Sequence, residues 1–198
     1  MQTNLGTGKL FKMGKLIVIA GPMFAGKTKA LIEAMRSGEG HEGRTIAFKS
    51  ALDARYHKTD LASHDGRFYP ATVIPIESGL DLLVQRSQGH DLIGIDECQF
   101  LSASLPIVVE ALLRRGSTII CAGLDMTHQG RGFGPMPELL AMADVVTKIT
   151  AVCACGAAAN QTHKNVQGDK LIEVGAHDIY QARCRACWVR GNHGILRD

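Results

Sequence analysis

Gly21-Pro22-Met23-Phe24-Ala25-Gly26-Lys27-Thr28 satisfies the pattern G-x-x-x-x-G-K-[ST] at every fixed position. An apolar run, Leu16–Ala20, precedes it, and a helix-like stretch, Lys27–Arg36, comes after it. A strand, a glycine-rich turn and a helix in that order form a loop that cradles phosphate. Backbone N–H groups of Gly21, Met23, Phe24, Ala25 and Gly26 define the cradle, and Pro22 within it gives none. Lys27 reaches the β- and γ-phosphates, the Thr28 hydroxyl suits Mg²⁺, and the helix N-terminus adds its positive dipole end. A chance glycine-rich turn would lack this flanking strand and helix. The motif points to a nucleotide triphosphate such as ATP and leaves the acceptor of its phosphate open.

Outward from the loop, short apolar runs alternate with helical stretches. Strands are expected at Leu16–Ala20, Thr45–Lys49, Leu92–Asp96, Thr118–Ala122 and Val145–Ala151, and helices at Lys27–Arg36, Leu80–Arg86, Leu105–Arg115 and Pro137–Ala143. The strands are nearly continuous in apolar residues, as strands covered on both faces are. In the third helix Leu105, Val108, Val109, Leu112 and Leu113 make one stripe that stops at Gly116. The fold class is therefore α/β, with a mostly parallel sheet and helices on both faces. Asp53–Tyr69 is polar and rich in His and Arg, and reads as a mobile loop or an excursion. From Val152 onward cysteines replace the helix and strand signals. The expected division is a disordered arm over 1–14, with Met13 a candidate start, a nucleotide-binding domain over 15–151, a small metal-bound lobe over 152–191 and a tail over 192–198.

Composition narrows the function classes. A net charge of +3 over 198 residues is too weak to argue for nucleic acid, and no run of 18 apolar residues exists to span a membrane. With no signal-peptide pattern, the expected compartment is the cytoplasm, where cysteines stay reduced.

Two further clusters carry chemistry. Leu92-Ile93-Gly94-Ile95-Asp96-Glu97 is an apolar strand ending in two acids. An Asp at such an end holds Mg²⁺ near a bound triphosphate, and the neighbouring Glu97 is placed to accept a proton from water or a substrate hydroxyl. A plain polar strand end is the alternative. Phe100 is either core or a surface for a planar substrate. Cys153-Ala154-Cys155 and Cys184-Arg185-Ala186-Cys187 are two close thiol pairs. Together they suit a closed tetrahedral Zn²⁺ site, structural because no coordination position is left open. Cys98 and Cys121 read more simply as small buried hydrophobes.

With these pieces placed, the chain resembles the zinc-containing class of thymidine kinases found in animals and many bacteria. GPMFAGKT, IGIDECQF, ICAGLDM, GFGPMPELL, ITAVCACG and YQARCRACW match that family's blocks in order, from about Gly14 to Trp188. The resemblance implies a P-loop domain and a zinc lobe with a lasso-like loop. It implies transfer of the γ-phosphate of ATP to the 5′-hydroxyl of thymidine, with Mg²⁺ and a structural Zn²⁺, in a cytoplasmic homotetramer or dimer. Glu97 then matches the catalytic base, and Lys27, Thr28 and Asp96 the triphosphate and magnesium residues. Arg55 matches an arginine that stabilises the transferring phosphoryl group. Cys98 and Gln99, in the IGIDECQF block, and Asp53, beside Arg55, match residues that line the nucleotide. Phe100, Leu124, Phe133 and Thr162 match the pocket around the base, Tyr180 matches the tyrosine beside the lasso, and His128 stands where the family's pocket has Phe. Leu171, Ile172, Glu173, Val174 and Gly175 match the lasso segment whose backbone reads the pyrimidine edge. Cys153, Cys155, Cys184 and Cys187 match the zinc ligands.

The chain departs from the pattern at His128, where the family usually has Phe, and at Gly132, where it usually has Pro. The segment between Lys164 and Leu171 is also short. These differences bear on the nucleoside and leave phosphoryl transfer untouched. His128 is either a solvent-facing loop residue or a ring beside the nucleoside. A kinase for another deoxynucleoside, such as deoxyuridine, is the nearest rival. A P-loop ATPase whose zinc lobe binds nucleic acid is the more distant one, and it lacks the interleaved basic and aromatic stripe it would need.

Overall fold

The structure is a computed structural model, and it describes residues 13–38, 44–53, 60–63, 65–76, 78–165 and 179–191. Strand β1 (Leu16–Ala20) leads through the glycine loop into α1 (Lys27–Arg36). Next comes β2 (Thr45–Ser50), and a single 3-10 turn, Ala51–Asp53, ends that segment. A short antiparallel hairpin of β3 (Asp60–Ala62) and β4 (Phe68–Pro70) is succeeded by β5 (Thr72–Ile74) and α2 (Gly79–Arg86). β6 (Leu92–Asp96), α3 (Leu105–Arg114), β7 (Thr118–Gly123), α4 (Met136–Met142) and β8 (Val145–Lys148) complete the larger part of the chain.

The main sheet has six strands in the order β5-β2-β6-β7-β1-β8, and every pairing in it is parallel. Parallel neighbours require crossovers, and the crossovers here carry the helices onto both faces. One face packs Phe48, Ile93, Ile95 and Ile119 against Leu83 of α2, Leu105, Val109 and Leu112 of α3 and Leu139 of α4. The opposite face packs Ile19, Ala47 and Ile120 against Leu31, Ile32 and Met35 of α1. The stripe expected on the third helix is buried at Leu105, Val109, Leu112 and Leu113, with Val108 packed partly against the same cluster. Gly94 lets α1 lie close to β6, because a Cβ there would come 2.7 Å from Met35 Sδ and 3.3 Å from Leu31 Cδ1.

Two expectations need correction. The run Val145–Ala151 is not one doubly covered strand. β8 ends at Lys148, all four of its residues are exposed, and it forms the edge of the sheet beside β1. Its apolar composition imitates a central strand, but strand position depends on pairing partners that composition does not encode. Within Asp53–Tyr69, the described part is not only loop. Leu61 pairs with Tyr69 across the β3–β4 hairpin and is 1% exposed, buried in the α1 face of the core. One alternating pair of apolar residues is too little signal against so many polar neighbours.

The remaining chain forms small antiparallel pieces. β9 (Ala151–Val152) pairs with β10 (Ala158–Ala159), β11 (Gln161–Lys164) pairs with β12 (Tyr180–Arg183), and α5 (Arg185–Gly191) closes the described chain. Residues 1–12, with most of the expected arm, and the tail lie outside the described residues. Among the described residues no helix is long and apolar enough to cross a membrane.

The tight approach at Gly94 yields a stability prediction. Gly94→Val places two methyl groups where α1 already touches β6, so it should destabilise the protein by about 1–3 kcal/mol, the usual range for overpacking. Urea unfolding of both proteins measures this, and an unchanged midpoint would contradict the close packing of α1 on β6.

Candidate active site

The glycine loop is shaped by two kinds of constraint. At Gly21 a Cβ would lie 2.2 Å from the carbonyl oxygen of Ile149, so no side chain fits. Gly26 takes a left-handed φ of 85°, and Phe24 adopts φ 64°, an unusual conformation for a residue with a side chain. Such strain collects at functional loops. Gly26 caps α1 without a side-chain hydrogen bond, leaving the first-turn N–H groups for an anion. Lys27 is buried, and its Nζ donates to the Pro22 carbonyl oxygen at 2.7 Å, curling over the loop it serves. Burial pushes the Lys27 pKa below its ordinary value, while the carboxylates of Glu97, Asp96 and Asp125, in that order, pull it back up.

The expected carboxylate pair stands opposite. Asp96 closes β6, is 2% exposed, and accepts a hydrogen bond from the Thr28 hydroxyl at 2.8 Å. The two expected magnesium residues, Thr28 and Asp96, are therefore in contact. Glu97 comes next, in the left-handed region at φ 53°, and is half-buried. That turn breaks the strand and opens the 3-10 segment Cys98–Phe100. Cys98 is fully buried, donates its thiol to the Ile95 carbonyl at 3.2 Å, and has its pKa pushed up by burial. The Gln99 amide lies inside as well, with Nε2 on Glu97 and Oε1 accepting from the Leu124 N–H at 2.9 Å.

The residues expected around the base come from three places. Phe100 and Phe133 stack edge to face with centroids 5.6 Å apart and planes at 88°. Leu124, just past β7, is 9% exposed. Thr162 belongs to the β11–β12 hairpin, and its Oγ1 accepts a hydrogen bond from the Met23 N–H of the glycine loop at 3.1 Å. Tyr180 of β12 pairs with Lys164 of β11, two residues along from the Thr162–Ala182 pair, and is buried. His128 is 9% exposed, so it is not a solvent-facing loop residue. Its backbone carbonyl and that of Thr162 both accept from the Trp188 indole N–H, at 3.2 and 3.1 Å. At Gly132, a Cβ would lie 2.5 Å from Pro137 Cγ, so the residue's smallness is used locally. Arg55 and Leu171, Ile172, Glu173, Val174 and Gly175 lie outside the described residues. Asp53 is described only as the end of its 3-10 turn.

The four cysteines converge. The sulfur atoms of Cys153, Cys155, Cys184 and Cys187 all lie within 4.8 Å of one another, and the Cys155–Cys184 separation is 3.7 Å. A tetrahedron with Zn–S bonds of about 2.3 Å has edges of about 3.8 Å, so the set fits that ion. Backbone hydrogen bonds from Cys155 and Cys184 lower the Cys153 pKa to about 6. Cys187 is raised to about 12 through its contacts with Cys184, Cys155 and Cys153. A metal binding this set would displace the protons its sulfur atoms carry.

Sequence reasoning missed two residues that the geometry makes prominent. Asp125 is 5% exposed and pairs with Lys148 at 2.8 Å beside the glycine loop. An acid directly after an apolar strand is the available signal, the same one that marks Asp96. Trp188 reads in sequence only as an isolated aromatic, yet it ties the helix bearing Cys187 to two other segments.

Comparison with known proteins bears on these arrangements as a set. The family model described as thymidine kinase matches residues 14–188. A protein named thymidine kinase from Bacteroides thetaiotaomicron is 41% identical over 180 residues, covering 90% of this chain and 89% of its own. One of the same name from Bacteroides fragilis matches at the same 41% identity and coverage. Among solved structures, the Legionella pneumophila ATPase DotB aligns over 74% of this chain and only 43% of its own, at 12% identity and a TM-score of 0.40. The family match runs through the glycine loop, the Asp96–Glu97 turn and the four converging cysteines alike, and the chain belongs to the thymidine kinase family.

Proposed function

We propose that this chain transfers the γ-phosphate of ATP to the 5′-hydroxyl of thymidine, giving thymidine monophosphate and ADP. The observation that carries the reading is the meeting of Thr28 with Asp96 at 2.8 Å, with the half-buried Glu97 next in the chain. The glycine loop from Gly21 to Gly26 would hold the triphosphate through its N–H groups. Lys27 would give up the Pro22 carbonyl for the β- and γ-phosphates. Thr28 and Asp96 would hold Mg²⁺, which supplies charge neutralisation on the phosphate oxygens. Glu97 would take the 5′-hydroxyl proton as the oxygen attacks. Little covalent work is asked of the protein, so positioning and charge carry the rate.

Phe100, Leu124, His128, Phe133, Thr162 and Tyr180 are the described candidates for surrounding the base. Arg55 and Leu171–Gly175 join the proposal on the family resemblance alone, as do Asp53 and the backbone of Cys98 and Gln99 as the lining of the nucleotide. His128 and Gly132 keep deoxyuridine as a second acceptor to test. Zn²⁺ held by the four cysteines would be structural, stapling a lobe over 152–191 too small to fold on apolar burial alone. A cytoplasmic homotetramer or dimer, with no nucleic-acid or membrane partner, completes the reading.

Two experiments test it. Glu97→Gln keeps the shape of the side chain and removes its basicity. With thymidine and deoxyuridine as acceptors and labelled ATP, kcat should fall about 10²–10⁴-fold while nucleotide binding stays nearly intact. A variant with most of the original kcat would remove Glu97 from proton transfer. For the metal, elemental analysis of purified protein should give one Zn per chain, and Cys153→Ser should lose it. The variant should also gain an early melting step before the main sheet unfolds. Fully active protein that carries no metal would end the structural-zinc reading.

A further inference from the structure

Gln99 sits between the proposed base and the neighbouring strand end, 3% exposed. Its carboxamide faces two partners of opposite kind. The Leu124 backbone N–H can only donate, and it points at Oε1 from 2.9 Å. The ionised Glu97 carboxylate can only accept, and it meets Nε2. These two partners admit a single orientation of the amide, with no ambiguity between its oxygen and nitrogen. The surroundings leave room for this side chain by omitting others. A Cβ on Gly123 would lie 2.6 Å from Gln99 Oε1, and a Cβ on Gly134, whose φ is 51°, would lie 2.3 Å from the Gln99 carbonyl oxygen.

Glu97 needs such support. It stands at φ 53°, a conformation costly for a residue with a side chain, and as a half-buried acid it is not held by close packing on every side. The 3-10 turn fixes its backbone, through the Phe100 N–H on the Glu97 carbonyl at 3.0 Å. That bond does nothing for the carboxylate. From the amide bridge we infer that Gln99 is a positioning residue: it fixes one carboxylate oxygen of Glu97 against the Leu124 end of β7, leaving the other oxygen for the acceptor hydroxyl. Because Leu124 is itself a candidate neighbour of the base, the same amide sets the distance between the proton acceptor and the nucleoside. The inference rests on Glu97 serving as the base.

The test is a double-mutant cycle with steady-state kinetics for thymidine and ATP. Gln99→Glu keeps the size of the side chain and the acceptor for Leu124 but replaces the donor with an oxygen that repels Glu97. Gln99→Met removes both contacts. Each should lower kcat about 10–100-fold, the scale of a small misplacement of a reacting group, with KM for ATP changed less than about threefold. Melting curves of both variants, with kcat read at a temperature where each stays folded, separate positioning from packing. In the Glu97→Gln background, adding Gln99→Glu should cost less than about twofold, because the residue acts only through the carboxylate. Gln99→Glu retaining kcat within about twofold of the parent would overturn the inference, and so would an equal loss in both backgrounds. If Glu97→Gln alone retains full kcat, the base assignment fails first and takes this inference with it. If Gln99→Met fails to fold, the Gln99→Glu arm decides.

Discussion

The parallel ladder of β1, β7 and β6 is the constraint on which the site depends. Ala20 stands beside Gly123 in the β1–β7 register, and Ile95 beside Cys121 in the β6–β7 register. Three strands running the same way must open their carboxyl ends on one edge of the sheet. The segments leaving those ends therefore meet there: the glycine loop after Ala20, Asp96 and Glu97 after Ile95, and Leu124 and Asp125 after Gly123. A lysine and three acids gathered at a water-poor edge would be costly if any stood alone. They compensate one another, as the opposing influences on Lys27 show. An arriving triphosphate would alter that balance by adding negative charge, which the lysine, the loop N–H groups and the helix end are arranged to meet.

The second half of the cleft hangs on hydrogen bonds to backbone groups. Met23 in the glycine loop donates to Thr162 on the β11–β12 hairpin, and Trp188 donates to the carbonyls of both Thr162 and His128. Gly130 makes room for the indole, since a Cβ there would lie 3.0 Å from its ring. Trp188 lies one residue after Cys187, so whatever orders the four cysteines also orders the indole. The chain of contact from cysteine cluster to phosphate loop is then only two side chains long. A metal held by the four cysteines would therefore give this lobe a defined position beside the glycine loop.

The sequence is informative where a local rule has a single structural solution. The glycine loop, β1, β6, α1 and the third helix stripe fall where their patterns place them, because each pattern is satisfied within a few residues. The four cysteines are legible for the same reason, since thiol pairs have few other uses in a reduced chain. Misreadings arise where position depends on distant partners. β8 has the composition of an inner strand and lies at the edge. Leu61 is core, yet its neighbours are those of a loop. Asp125 shares its local signature with Asp96, but only the strand order reveals that β7 lies between β1 and β6 and so brings this acid to the loop. Gln99 is the clearest limit: that its amide spans two strand ends could be learned only from the packing.

The departures at His128 and Gly132 differ in how they are tied to the packing. The turn that carries them is held by its own backbone, through Thr127 N–H to the Arg131 carbonyl at 2.8 Å, Gly130 N–H to the Thr127 carbonyl at 3.0 Å, and the bridge between Met126 and Gly132. One anchor to the rest of the protein at residue 128 is also a backbone carbonyl. These backbone bonds do not depend on which side chain stands at 128. At 132 the reverse holds. The space a larger residue would need is taken by Pro137 at the start of α4, so proline here would require the loop and the helix start to move together. Of the two departures, the one at 132 is thus the one whose exchange the neighbouring packing opposes most directly.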